Sequence, residues 1–235
     1  MSNLKSLLSR YDAIVFFDTE TSGLDADSCQ IIELAALRIE ADADDLPIKV
    51  DDLDIFIRLP DGENLSEDIT KLTGITDEIL LDQGIHQEEA AEQMAVLMSG
   101  DSVLMVAHNA QFDAGFLRNL LRGRRFGRID WLDSLTVYKD RRAYPHKLTY
   151  AISAYHLEDK VQNSHRAIDD VLALYEVVCA MDEEREDLDD YVNLFGYNPK
   201  YGVSGRKVAS VTYAPQQFHN YMTRPVDTLP QVIAR

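Results

Sequence analysis

The sequence predicts an α/β fold, a mixed five-stranded sheet flanked by helices and followed by an extended C-terminal appendage. Three observations carry that prediction. Three strand-like runs come first, between residues 13 and 59. Helical and strand-like segments then alternate up to residue 181, an order that lays helices on the faces of a sheet. Beyond Asp190 the composition changes, with four of the seven prolines and five of the eleven tyrosines.

Ala13 to Phe17 (AIVFF) is an apolar run stopped by Asp18-Thr19-Glu20-Thr21-Ser22-Gly23, a buried strand running into a turn. Gln30 to Ile39 and Asp54 to Leu59 read as the next two strands, with a turn signal at Asp44-Asp45-Leu46-Pro47 between them. Gln87 to Met98 carries Ala90, Ala91, Met94, Leu97 and Met98 at helical spacing. Strand Val103 to Ala107, a helix from Gln111 to Arg122 and a short strand from Ile129 to Leu132 follow. Helices are expected over Ser134 to Arg141, Thr149 to Tyr155 and His165 to Met181. The expected division is a main domain over residues 1–182 and a Pro/Tyr-rich extension over 183–235. In that extension Tyr197, Tyr201, Arg206, Lys207, Tyr213, Phe218 and Tyr221 suit either base stacking or packing of a tail against the domain or a second subunit.

The chain has 235 residues, 46% of them apolar, enough for a real core. No apolar stretch approaches the 18 or so residues of a membrane span, and MSNLKSLLSRYD lacks a signal-peptide core. Cys29 and Cys179 form neither a CxxC pair nor a disulfide framework, which suits a cytoplasmic protein. The net charge of −18 argues against a nucleic-acid partner, since phosphate binding normally leaves a basic footprint. The charge is uneven, however: nine Lys and Arg against three Asp make residues 118–147 locally +6. That segment reads as solvated charge or as a surface tracking a phosphate backbone.

Three segments place acids where helices and strands should face inward. Asp18 and Glu20 end the first strand and, at a period of two, share a side. Composition alone yields about seven such D/E-x-D/E pairs, so the pair by itself decides nothing. Asp113 heads the stripe Asp113, Phe116, Leu117, Leu120 in the first turn of its helix. A helix N-terminus favours an acid, but an inward-facing charge needs a partner. Asp170 lies on the stripe Ala167, Asp170, Val171, Leu174, Val177, Val178, Met181, whereas Asp169 does not. His165, five residues earlier, belongs to the loop or first helical position over that site. Four converging carboxylates cannot all ionise without cations, and hard divalent ions, two Mg²⁺ or Mn²⁺, suit them. Paired ions of this kind serve in-line phosphoryl transfer, and His165 suits the base that deprotonates a water.

Taken in order, FDTETSGLD, IIELAAL, LTGIT, AHNAQFD, DSL and HRAIDD resemble the DEDD exonucleases, histidine-containing branch, which includes the epsilon proofreading subunit of DNA polymerase III. The resemblance covers about residues 11–180. It implies a ribonuclease-H-like fold and metal-dependent 3′→5′ release of nucleoside 5′-monophosphates. Asp18, Glu20, Asp113 and Asp170 then match the metal-site acids, and His165 the base. Thr21, Ser22 and Leu24 would contact the terminal sugar and base, with His108, Asn109 and Phe112 along the incoming strand. Turn formation, helix capping and packing are the plainer readings of those six. The residue after His165 is often Gly in relatives and is Arg166 here, a phosphate contact or an exposed side chain. The implied partner is a nucleic-acid 3′ end, with single-stranded DNA ahead of RNA. The resemblance allows a DNA polymerase partner, involves no membrane and leaves homo-oligomers open. An exoribonuclease with the same chemistry and a non-catalytic interaction module on the same fold are the alternatives.

Overall fold

The computed structural model describes residues 4–161, 166–203 and 205–216. Strands β1 (Ala13–Thr21), β2 (Ile31–Ala41), β3 (Pro47–Phe56), β4 (Ser102–Ala107) and β5 (Arg128–Asp133) form one sheet in the order β3-β2-β1-β4-β5. β1 runs antiparallel to β2 and parallel to β4. Pairing is antiparallel on the β2 side of β1 and parallel from β1 through β4 to β5, so β2 alone runs against the other four strands.

The helices are α1 (Lys5–Leu8), α2 (Glu67–Thr73), α3 (Asp77–Gln83), α4 (Gln87–Leu97), α5 (Ala110–Leu120), α6 (Ser134–Arg141), α7 (Leu148–Ala154) and α8 (Ala167–Glu184). Alternation along β1 sorts them into two layers. Ile14 and Phe16 face a core completed by Val171, Leu174, Val177, Val178 and Met181 of α8. Ala13, Val15 and Phe17 face the opposite core, built with α4 and α5. Both faces of β1 are covered, which is why AIVFF is apolar throughout rather than alternating.

The third strand departs from expectation. It spans Pro47–Phe56 rather than Asp54 to Leu59. β3 is an edge strand with Asp51, Asp52 and Asp54 exposed, so it carries little apolar signal, and Pro47 is tolerable at its first position. The turn before it is tied by Asp42, whose Oδ1 accepts from the amides of Asp44 and Leu46 at 2.8 and 2.9 Å. Asp45 there adopts φ 59°. Helices α2 and α3 were also not expected, being seven residues each. The LTGIT segment is their junction: Gly74 caps α2 at φ 74°, Ile75 is buried, and Thr76 Oγ1 accepts the Ile79 amide to start α3.

α8 begins at Ala167, not at His165, and runs past the expected division at 182/183. His165 lies outside the described residues, as do Phe218 and Tyr221. Beyond α8, a short 3₁₀ turn (Leu188–Tyr191) precedes β6 (Leu194–Tyr197), which pairs in parallel with β7 (Thr212–Pro215). Leu188 and Tyr191 are buried in the α8-side core and Phe195 in the opposite one, so this extended segment is anchored to both. Among the described residues no helix is long and apolar enough to cross a membrane.

Candidate active site

The acid site is built at the end of β1, where the apolar run stops. Asp18 and Glu20 continue the face that carries Ile14 and Phe16, so both project toward α8. A register shift between Glu20 and Thr21 ends the pairing with β2 there, the kind of irregularity that frees a strand end beside a site. α8 crosses this face with Ala167, Asp170, Val171 and Leu174 inward. Its first turn therefore delivers Asp170, which is 8% exposed. Carboxylate oxygens of Asp18, Glu20 and Asp170 lie within 4.8 Å of one another.

This clustering changes the acids. Burial, reinforced by Glu33, pushes the Asp18 carboxyl up to about 7. Burial and then Asp18, Asp170 and Glu33 push Glu20 up to about 8. Asp170 rises to about 8 through burial and then Asp18, Asp169 and Glu33. Near neutral pH three such groups hold their negative charge only with a cation among them. All the donors are carboxylate oxygens, a set that fits a hard divalent ion.

Asp113 arrives from the other layer. It is buried in the first turn of α5, at the head of the stripe that includes Phe116 and Leu117. Thr19 points to that layer, between Asp18 and Glu20, and its Oγ1 donates to Asp113 Oδ1 at 2.7 Å. Burial, then the Asp18 charge, drives Asp113 well above the ordinary carboxylate range, and the Thr19 bond partly opposes this. Asp113 is thus electrostatically joined to Asp18 but stands outside the close three-acid group.

The six expected substrate contacts sort by what they touch. Thr21 is buried, its hydroxyl donating to the Gly23 carbonyl at 2.6 Å. Ser22 Oγ accepts the Gln30 amide at 3.1 Å. These two bonds shape the turn that pushes Leu24 into solvent at 86% exposure. His108 is engaged inside the fold, with Nδ1 2.9 Å from Ser134 Oγ and Nε2 2.9 Å from the His146 carbonyl. Burial lowers its pKa. Asn109 sits at φ 79° as the residue before α5, a conformation Asn tolerates better than most side chains. Phe112 is half-buried and packs on Phe116 with ring centroids 5.0 Å apart.

Four of the nine basic residues of the segment 118–147 are in ion pairs. Arg124 meets Glu88 at 2.6 Å, Arg142 meets Glu184 at 2.8 Å, and Arg128 meets Asp130. Arg141 is fully buried and bonded to Glu184 and Asp187. Arg166 contacts Glu33, not open solvent alone. Thr19 and Glu33 are the residues that reading the sequence missed. A charge inside the apolar run IIELAALRI is the one signal that could have found Glu33.

Comparison with known proteins gives the family and the fold. The RNase_T exonuclease family model matches residues 15–178. The chain is 33% identical over 193 residues to a PolC-type DNA polymerase III of Clostridium perfringens, covering 81% of this chain and 12% of that protein. It is 36% identical over 164 residues to the PolC-type enzyme of Halalkalibacterium halodurans, covering 68% and 10% respectively. The chain thus spans about a tenth of the length of these relatives. E. coli exonuclease I in complex with a dA16 oligonucleotide superposes with a TM-score of 0.65 at 18% identity, over 77% of this chain and 42% of that one. Exonuclease I of Methylocaldum szegediense gives 0.62 at 19%, over 76% and 42%. Those two likenesses speak to the fold.

Proposed function

The chain belongs to the exonuclease family whose model matches residues 15–178, and from that premise we propose that it is a metal-dependent 3′→5′ exonuclease releasing nucleoside 5′-monophosphates from DNA 3′ ends. The observation that carries the reading is the close group of Asp18, Glu20 and Asp170, with Asp113 coupled to Asp18. These four would hold two divalent cations, Mg²⁺ or Mn²⁺. Such ions, when bound, supply Lewis-acid polarisation and charge neutralisation for an in-line displacement at phosphorus.

The chain's own residues do the rest. His165 takes the proton of the attacking water, which adds to phosphorus as the 3′ oxygen of the preceding nucleotide leaves. Leu24, exposed at the tip of the turn after Glu20, meets the terminal base, and Thr21 and Ser22 hold that turn. Asn109 and Phe112 line the path of the strand at the start of α5. The relatives are PolC-type DNA polymerases III, and E. coli exonuclease I is seen with a dA16 oligonucleotide, which supports DNA as substrate and a polymerase partner.

The test is a 3′-labelled single strand, as DNA and as RNA of the same sequence, with Mg²⁺ or Mn²⁺. Release of labelled deoxynucleoside monophosphate is expected. DNA left intact with Mg²⁺ and with Mn²⁺ overturns the reading, and faster attack on RNA moves it to an exoribonuclease.

A further inference from the structure

Beside the acid group sits a fifth carboxylate that the site does not use. Glu33 lies on β2 directly opposite Glu20 in the β1–β2 ladder, so the two side chains share the face covered by α8. Its side chain is wholly buried. Both of its oxygens are engaged: Oε1 accepts from Arg166 Nε at 2.7 Å, and Oε2 accepts from the Ala167 amide at 3.3 Å. A buried acid this close to others persists only with such partners.

Those partners are the first residues of α8. Arg166 immediately precedes the helix, and its carbonyl accepts the Asp170 amide at 3.1 Å, closing the first turn. The Arg166 guanidinium also lies 5.0 Å from the centre of the Phe56 ring on β3. One carboxylate and one guanidinium therefore fasten three elements, β2, β3 and the turn that carries Asp170.

We propose that Glu33, with Arg166 as its counter-ion, is a positioning residue that clamps the start of α8 to β2 and thereby sets the metal affinity of the Asp18–Glu20–Asp170 group without touching metal. The pairing also keeps Glu33 out of the ligand set, since its oxygens are committed to Arg166 and Ala167. The inference rests on the metal-dependent reading above. Ligand-orienting partners of this kind typically change metal affinity or activity by about 10–100-fold when removed.

The experiment is Mn²⁺ titration calorimetry on the full chain, as wild type, Glu33→Gln, Arg166→Lys and the Glu33→Gln/Arg166→Lys double variant. Turnover and KM for DNA are measured at low and saturating Mn²⁺. Glu33→Gln is expected to weaken Mn²⁺ binding by about 10–100-fold. Its kcat should recover to within about threefold of wild type at saturating Mn²⁺, with KM for DNA unchanged. The double variant should be no worse than the worse single one, because both remove one network. Arg166→Lys keeps the charge and the fold but loses the Nε bond, so faster amide exchange at residues 167–170 is expected. Equal Mn²⁺ affinity in wild type and Glu33→Gln, or unchanged exchange in Arg166→Lys, overturns the proposal alone. A kcat that stays low at saturating Mn²⁺ also overturns it, since Glu33 would then act directly. A wild type that binds no Mn²⁺ overturns the metal-dependent reading itself.

Discussion

Two groups of acids in this protein, one buried and one half-buried, differ in what surrounds them. Asp130 and Asp133, on β5, are each 4% exposed and surrounded by donors. Asp130 accepts from Tyr11 Oη at 2.7 Å, from Asn193 Nδ2 at 2.8 Å and from Arg128. Burial alone would raise its pKa, but these three donors hold it below the ordinary carboxylate value. Asp133 Oδ1 accepts from the amides of Asn109, Ala110 and Leu135, and Oδ2 from the amide and hydroxyl of Thr136. It thereby joins the start of α5 to the start of α6. Asp18 and Glu20 have no such company: among the described residues no salt bridge or side-chain hydrogen bond neutralises either, and both are driven upward. Buried acids with full donor sets are scaffolding. Half-buried acids that face other acids form a set that could hold a cation.

The sharpest way to break that contrast is to neutralise one acid of each kind. Asp18→Asn should lower exonuclease turnover by about 10⁴-fold, the scale on which single members of a catalytic set fail. It should leave the metal-free protein at least as stable in thermal unfolding, because a mutually repelling charge has gone. Asp130→Ala should do the reverse. Stranding Tyr11, Asn193 and Arg128 should cost about 2–3 kcal/mol of stability by urea unfolding, with activity per folded molecule unchanged. Retained stability in Asp130→Ala, or full activity in Asp18→Asn, would erase the distinction.

A pH series reads the same contrast more gently. Glu20 releases its proton near 8 in the folded chain against an ordinary value of 4.5. Between those values the unfolded chain holds fewer protons, so raising pH favours unfolding. The stabilisation is complete below about 4.5 and is lost as pH climbs through about 8. In EDTA the melting temperature of Glu20→Gln should therefore gain on wild type as pH rises from 5 to 8, and added Mn²⁺ should close the gap. Smallest of all is the basic segment. Because Arg124 is already paired with Glu88, replacing Arg122, Arg124 and Arg125 together by Gln should weaken DNA binding by only about threefold, with a shallower salt dependence. An unchanged salt slope would put the strand path elsewhere.

Much of this was legible in the residues. A period of two placed Asp18 with Glu20, and helical stripes chose Asp170 over Asp169 and turned Asp113 inward. These are local regularities, and local geometry enforces them. β3 was misplaced because an edge strand facing water need not be apolar. Glu33 was missed because its meaning depends on register. Only the pairing of β2 with β1 brings it opposite Glu20, and only the docking of α8 brings Arg166 to it. Thr19 read as a spacer within the DxE motif, yet it reaches an acid 94 residues away. The anchoring of Tyr191 and Phe195 in two different cores is likewise a property of the folded chain, invisible in a Pro/Tyr-rich stretch.

The tight turn at Asp42–Asp45 has a practical consequence. β2 leaves the acid group at Glu33 and runs antiparallel to β1 as far as Ala41. At about 3.3 Å per residue, the turn stands some 25 Å or more from Glu20, at the opposite end of the sheet. It is solvent-exposed, held by its own Asp42 bonds, and takes no part in either core. A dye, a biotin handle or a fused module introduced there would stand well clear of the acid group. That makes it the attachment point for tethering the protein to a surface and watching a single strand shorten.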